Sequence, residues 1–146
     1  MPTYRLPYTY INIRSNLAFP NGHVAPRPIL KLTLVNGESQ LTCYAIIDSG
    51  ADHCVFPRSF MRPLGLDPLT SPIVLTAGLG GTNIPTHFAN VSIDIPGIMT
   101  FPVYAGFTTG LEPIGRGLLG QTGFFDRFNL HFRQIEKFCD IEISEM

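Results

Sequence analysis

Tryptophan is absent from this chain, charge is sparse, and no long apolar run occurs. Charged residues fill 14% of the 146 positions, against roughly 25% in a typical soluble protein. Hydrophobic residues reach 45%, which excludes a disordered tail, since such tails combine high charge with few apolar groups. The net charge is −1 and there is no basic run, so no electrostatic footprint for DNA or RNA exists. No apolar stretch approaches the ~18 residues that span a bilayer, and no membrane partner is expected. The opening Met1-Pro2-Thr3-Tyr4-Arg5-Leu6-Pro7-Tyr8 lacks the apolar centre of a secretory signal. Cysteine is limited to Cys43, Cys54 and Cys139. An odd number with no Cys-x-x-Cys pair reads as reduced, buried thiols of a cytoplasmic protein. His53 stands beside Cys54, but His23, His87 and His131 are scattered. No metal and no cofactor is expected on that spacing.

What is abundant is turn chemistry. Gly 14 and Pro 13 disfavour long helices and suit many short strands joined by turns. Residues 1–26, cut by Pro2, Pro7, Pro20 and Pro26, read as an irregular extension with one extended stretch from Tyr8 to Ile13. Residues 27–146 read as one domain. Leu30, Leu32 and Leu34 alternate with Lys31 and Thr33, the period of a half-buried strand. Asn36-Gly37 marks a tight turn, and the chain returns through Leu41, Cys43, Ala45 and Ile47. A helical turn is expected over Arg58–Leu64. A second hairpin is expected around Ala77-Gly78-Leu79-Gly80-Gly81, followed by strands at Val91–Ile95 and Met99–Ala105. One short helix is expected within Gly117–Phe128, then a closing hairpin from Leu130 to Ile143. The fold class is all-β.

The informative segment is Ala45-Ile46-Ile47-Asp48-Ser49-Gly50-Ala51-Asp52. An aspartate directly after two β-branched apolar residues sits where a strand leaves the core, where an unpartnered carboxylate is costly. Taken alone, Asp-Ser-Gly is also a common Asx-type turn.

The wider pattern tips the balance. Asp48-Ser49-Gly50-Ala51, preceded by Ile46-Ile47 and followed by Val55-Phe56, resembles the active-site motif of the retropepsin-like aspartic proteases, the family of the retroviral proteases. Arg27-Pro28-Ile29-Leu30 before the Asn36-Gly37 turn is similar to that family's first hairpin. The glycine cluster from Ala77 to Gly81 falls where the family places its flap. Ile114-Gly115-Arg116-Gly117-Leu118-Leu119-Gly120-Gln121 is similar to the segment opening its single helix. The resemblance implies a closed or partly open β-barrel with one short C-terminal helix and a flap hairpin. The long segment from Asn129 to Ile143 and the N-terminal extension are closer to the cellular and bacterial members.

Further expectations follow from the resemblance. Peptide hydrolysis there needs two aspartates facing one water, one as general base and one as acid. This chain has a single Asp-Ser-Gly, so the second carboxylate comes from a second copy, with Asp48 and its twin on a two-fold axis. Two unit charges ~3 Å apart repel by about 5 kcal/mol at an effective dielectric near 20, so the pair holds one shared proton. Ser49 is expected to lock the two loops, with Gly50, Ala51 and Asp52 supporting the site and Asp52 pairing with Arg116. The alternative for that pair is two unrelated surface charges. Gly78, Leu79, Gly80 and Gly81 are expected to bind the substrate strand as the flap tip, or else to form an ordinary loose hairpin. Leu111 and Ile114 line side-chain pockets or belong to the core. The expected activity is a homodimeric aspartic endopeptidase acting on a peptide or protein substrate. The alternative is a dimeric peptide- or protein-binding module of the same fold that cuts weakly or not at all.

Overall fold

The computed structural model describes residues 2–77 and 83–143. Alternating burial marks the longest strands of the sheet described next, and the chain divides into two compact units, residues 30–127 and residues 1–29 with 128–146.

The larger unit is a seven-stranded sheet. Its strands are β4 (Ile29–Asn36), β5 (Ser39–Ile47), β6 (Val55–Pro57), β7 (Ile73–Ala77), β8 (Asn83–Ile95), β9 (Met99–Thr108) and β10 (Gly117–Leu119). They run in the order β4-β5-β10-β6-β9-β8-β7, and β4 also pairs with β8, which leads the order back to its first strand. Leu32 and Leu34 of β4, Ala45 of β5 and Ile93 of β8 are fully buried, as the period of two demands. With no tryptophan available, phenylalanine fills the centre: Phe56, Phe101, Phe107 and Phe124 are sealed from solvent. The rings of Phe56 and Phe107 lie 6.0 Å apart.

β10 decides where the site forms. It runs parallel to β5, Gly117 opposite Ala45 and Leu119 opposite Ile47, and antiparallel to β6 with Leu118 opposite Val55. β6 in turn runs parallel to β9. The strand before Asp48 and the strand after its loop are therefore bridged by one three-residue segment.

The short helix expected over Gly117–Phe128 is not formed. Gly117–Leu119 is spent on β10, and residues 120–127 are a run of turns. Gly123, at φ +106°, lies outside the right-handed helical region. The helical turn expected at Arg58–Leu64 is present as a 3-10 turn at Arg58–Phe60, extended by i→i+3 bonds as far as Leu64 and Gly65.

The smaller unit corrects the expectation of an irregular N-terminal extension. β1 (Thr3–Pro7) pairs with β12 (Phe138–Ile143), which also pairs with β11 (Phe128–Arg133). β2 (Thr9–Ile13) and β3 (His23–Arg27) form a separate hairpin. The prolines do not prevent this, because Pro2 and Pro7 border β1 and Pro26 lies in a two-stranded ribbon, positions compatible with a missing N–H. Arg5 lies opposite Asp140, and its guanidinium donates to both carboxylate oxygens at 2.9 and 3.3 Å. The same guanidinium sits 3.8 Å over the Phe138 ring. Arg5 holds the Asp140 carboxyl below its usual range, chiefly by that hydrogen bond, against a smaller opposing effect of burial.

Candidate active site

Cys43, Ala45 and Ile47 point into the core from β5, and the chain leaves the sheet at Asp48, which is half-buried. The Asp48 N–H donates to the Leu119 carbonyl at 3.0 Å, prolonging the β5–β10 pairing by one residue. One side-chain oxygen, Oδ1, accepts from the Gly50 N–H at 2.9 Å, and the Ala51 N–H donates to the Asp48 carbonyl at 3.2 Å. The Asx-type turn and the carboxylate at a strand end are thus one structure. Pinning Oδ1 sets the carboxylate's orientation and leaves Oδ2 without a hydrogen bond among the described residues.

The loop is clamped from the segment after β10. Gln121 N–H donates to the Ala51 carbonyl at 2.8 Å, and Thr122 N–H to the Asp52 carbonyl at 2.9 Å. The Gln121 side-chain amide donates to the Ser49 carbonyl at 2.8 Å. Gly120 permits this approach: a Cβ there would overlap the carbonyl oxygens of Ala51 and His53. Sequence reasoning did not single out Gln121 or Thr122. Their only signal is position, two and three residues after the buried Leu119.

Asp48 opens into a cleft of about 990 Å³. Gly50, Ala51, Asp52 and His53 form one wall with it, and Val74 to Ala77 and Ile84 of the β7–β8 hairpin form another. Leu111 and Ile114 both line this cleft, Leu111 buried and Ile114 exposed. The hairpin is registered up to Ala77 opposite Asn83. Gly78, Leu79, Gly80 and Gly81, expected at its tip, lie outside the described residues. Ser49 is exposed.

A family model described as aspartyl protease matches residues 32–122, from the middle of β4 to the clamping Thr122. The chain belongs to the aspartyl protease family. Among solved structures, a retropepsin-like aspartic protease from Rickettsia conorii shares the fold, with a TM-score of 0.58 and 17% sequence identity over 96% of this chain and 92% of that one. No curated protein sequence matches the chain. The retropepsin-like fold implied by the Asp48-Ser49-Gly50-Ala51 motif is thus the fold of this chain.

Among the described residues of this chain the expected pairing of Asp52 with Arg116 does not form. Among the described residues neither takes part in an ion pair. Register explains it: Gly117 lies level with Ala45, so Arg116 lies level with Tyr44, four residues before Asp48. At about 3.3 Å per residue that separation is on the order of 13 Å. Asp52 is left exposed, with no hydrogen bond to its carboxylate among the described residues.

His53 also went unassigned. Its ring meets Phe88 edge-on at 5.2 Å, and its Nδ1 is enclosed without a hydrogen-bond partner. The adjacent Cys54 is fully buried, and burial pushes its thiol up to about 11. Burial likewise pushes Cys43 up to about 12 and Cys139 up to about 11. Among the described residues no group of three His, Cys, Asp or Glu side chains could hold a metal ion, and no helix is long and apolar enough to cross a membrane.

Proposed function

We propose that this chain is an aspartic endopeptidase in which the Asp48 carboxylates of two identical copies activate one water. The observation that carries the reading is Asp48 itself, a carboxylate pinned through one oxygen by Gly50 N–H and lining a mostly apolar cleft. A lone carboxylate supplies a base or an acid, and peptide hydrolysis needs both at once. Two copies of Asp48 sharing one proton supply the pair. The ionised member takes a proton from water as its oxygen attacks the scissile carbonyl carbon. The protonated member gives its proton to the carbonyl oxygen. Collapse of the tetrahedral species then returns a proton to the leaving nitrogen as the C–N bond breaks. The β4–β8 pairing is read as closing the sheet into the family's barrel, and the β7–β8 hairpin as the flap that covers an extended peptide.

Replacing Asp48 by Asn removes the ionisable group and keeps its shape. Asp48→Asn is expected to lower cleavage of a mixed peptide library by about 10³-fold or more, with the melting temperature and dimer mass nearly unchanged. Cleavage at the wild-type rate would reject Asp48 as the catalyst. Dimeric wild-type protein that binds peptides without cutting them would favour the binding-module alternative.

A further inference from the structure

The Ser49 carbonyl and the Gly50 N–H are the two ends of one peptide group, and each end has a partner. The carbonyl accepts from the Gln121 side-chain amide at 2.8 Å, and the N–H donates to Asp48 Oδ1 at 2.9 Å. A trans peptide is planar, so the two bonds turn together. Gln121 also donates its backbone N–H to the Ala51 carbonyl at 2.8 Å. One residue thus holds the carbonyl on each side of Gly50. Any residue but proline can make the backbone bond. The side-chain bond needs a donor of this length.

Gly50 is what makes the second restraint necessary. A Cβ there would lie 3.2 Å from Asp48 Oδ1, close enough to push the carboxylate aside, so the position favours glycine. Glycine also has the widest choice of backbone angles, and the Ser49–Gly50 peptide is free to swing unless its other end is tied. Ser49 and Gly50 are exposed, where water competes for both groups. Among the described residues, Gln121 is the sole hydrogen-bond partner of the Ser49 carbonyl.

We infer that Gln121 is a positioning residue for Asp48, acting through the Ser49–Gly50 peptide plane. The inference rests on the reading of Asp48 as the catalytic carboxylate. With the Ser49 carbonyl held, Gly50 N–H stays on Oδ1, and Oδ2 is the oxygen left to a water. With the carbonyl released, the plane swings, Oδ1 loses its donor, and the carboxylate turns about χ2, a torsion with broad wells. Polarisation works in the same direction, because a carbonyl that accepts a hydrogen bond makes the N–H of its own peptide a stronger donor. Gln121 touches neither water nor substrate in this role.

The test separates the Gln121 side chain from its backbone bond. Gln121→Met keeps the length and loses the donor. Gln121→Glu keeps the shape and sets an acceptor against the Ser49 carbonyl. Gln121→Arg places Nε–H at the same point of the side chain as the glutamine nitrogen. On a peptide that the wild type cuts, Gln121→Met and Gln121→Glu are expected to lower kcat about tenfold with KM nearly unchanged. Gln121→Arg is expected to recover most of that loss. Amide exchange followed by NMR reads the plane directly. In Gln121→Met the Gly50 N–H is expected to exchange about tenfold faster, while the N–H groups of Ala51, residue 121 and Thr122 keep their wild-type rates. Unchanged kcat in Gln121→Met, a change in KM alone, or a loss that Gln121→Arg does not recover would overturn the inference. So would an equal rise in exchange at all four amides, the mark of a loosened loop. Exchange needs no catalysis and so keeps the two readings apart. Wild-type protein that cuts no peptide, with Gly50 alone responding to Gln121→Met, refutes the peptidase and keeps the positioning of Asp48. Normal cutting in every variant with Gly50 unmoved refutes the positioning and keeps the peptidase.

Discussion

Single residues around Asp48 do different kinds of work. Gly50 orients the carboxylate through its N–H, and Gln121 and Thr122 hold the loop from the neighbouring segment. Gly120 acts by having no side chain. An added methyl would collide with main-chain oxygens of Ala51 and His53, and backbone atoms cannot swing aside as a flexible side chain can. Gly120→Ala is expected to destabilise the protein by about 2–3 kcal/mol and to depress peptidase activity further by displacing the Asp48 loop. Urea unfolding together with peptide cleavage measures both effects. A variant as stable and as active as wild type would show that the loop does not depend on this close contact.

Elements explain what patterning reveals and what it conceals. β4 and β5 were legible because alternation and the Asn36-Gly37 turn are local signals, and Asp48 could be placed at a strand end for the same reason. Gly117–Phe128 was misleading: Leu118, Leu119, Phe124, Phe125 and Phe128 sketch a helical stripe, but Leu118 and Leu119 find partners in β5 and β6. Tertiary pairing then outweighs a weak local preference. The β1–β12–β11 sheet was half legible, its closing hairpin evident and β1 hidden among prolines. Its Arg5–Asp140 pair carries a pH dependence. The folded-state pKa of Asp140 is lowered, so its contribution to stability is present above the unfolded value near 4 and is lost as pH falls through the folded value. Melting temperature is therefore expected to decline below about pH 4, and to decline less steeply in Asp140→Asn. Equal slopes for the two proteins would remove Asp140 from the account.

For the whole molecule, the number of carboxylates is the controlling quantity. One Asp-Ser-Gly per chain couples the proposed chemistry to association, since neither copy alone holds an acid and a base on one water. Specific activity is expected to rise with protein concentration and to track the dimer fraction in sedimentation equilibrium. A monomer fully active at every concentration would contradict the two-copy mechanism.

The amino-acid sequence by itself determined the all-β class, the first hairpin, and the placement of a carboxylate where β5 leaves the core. Each depends on residues two to ten positions apart, within reach of alternation and turn chemistry. Tertiary structure alone decided that Arg116 misses Asp52, that residues 120–122 grip the Asp48 loop, and that His53 shares a cleft with Asp48. Those facts follow from the parallel register of β10 on β5, which joins segments about seventy residues apart. A shift of that register by a few residues would rearrange the site without altering the hydrophobic pattern of either segment taken alone.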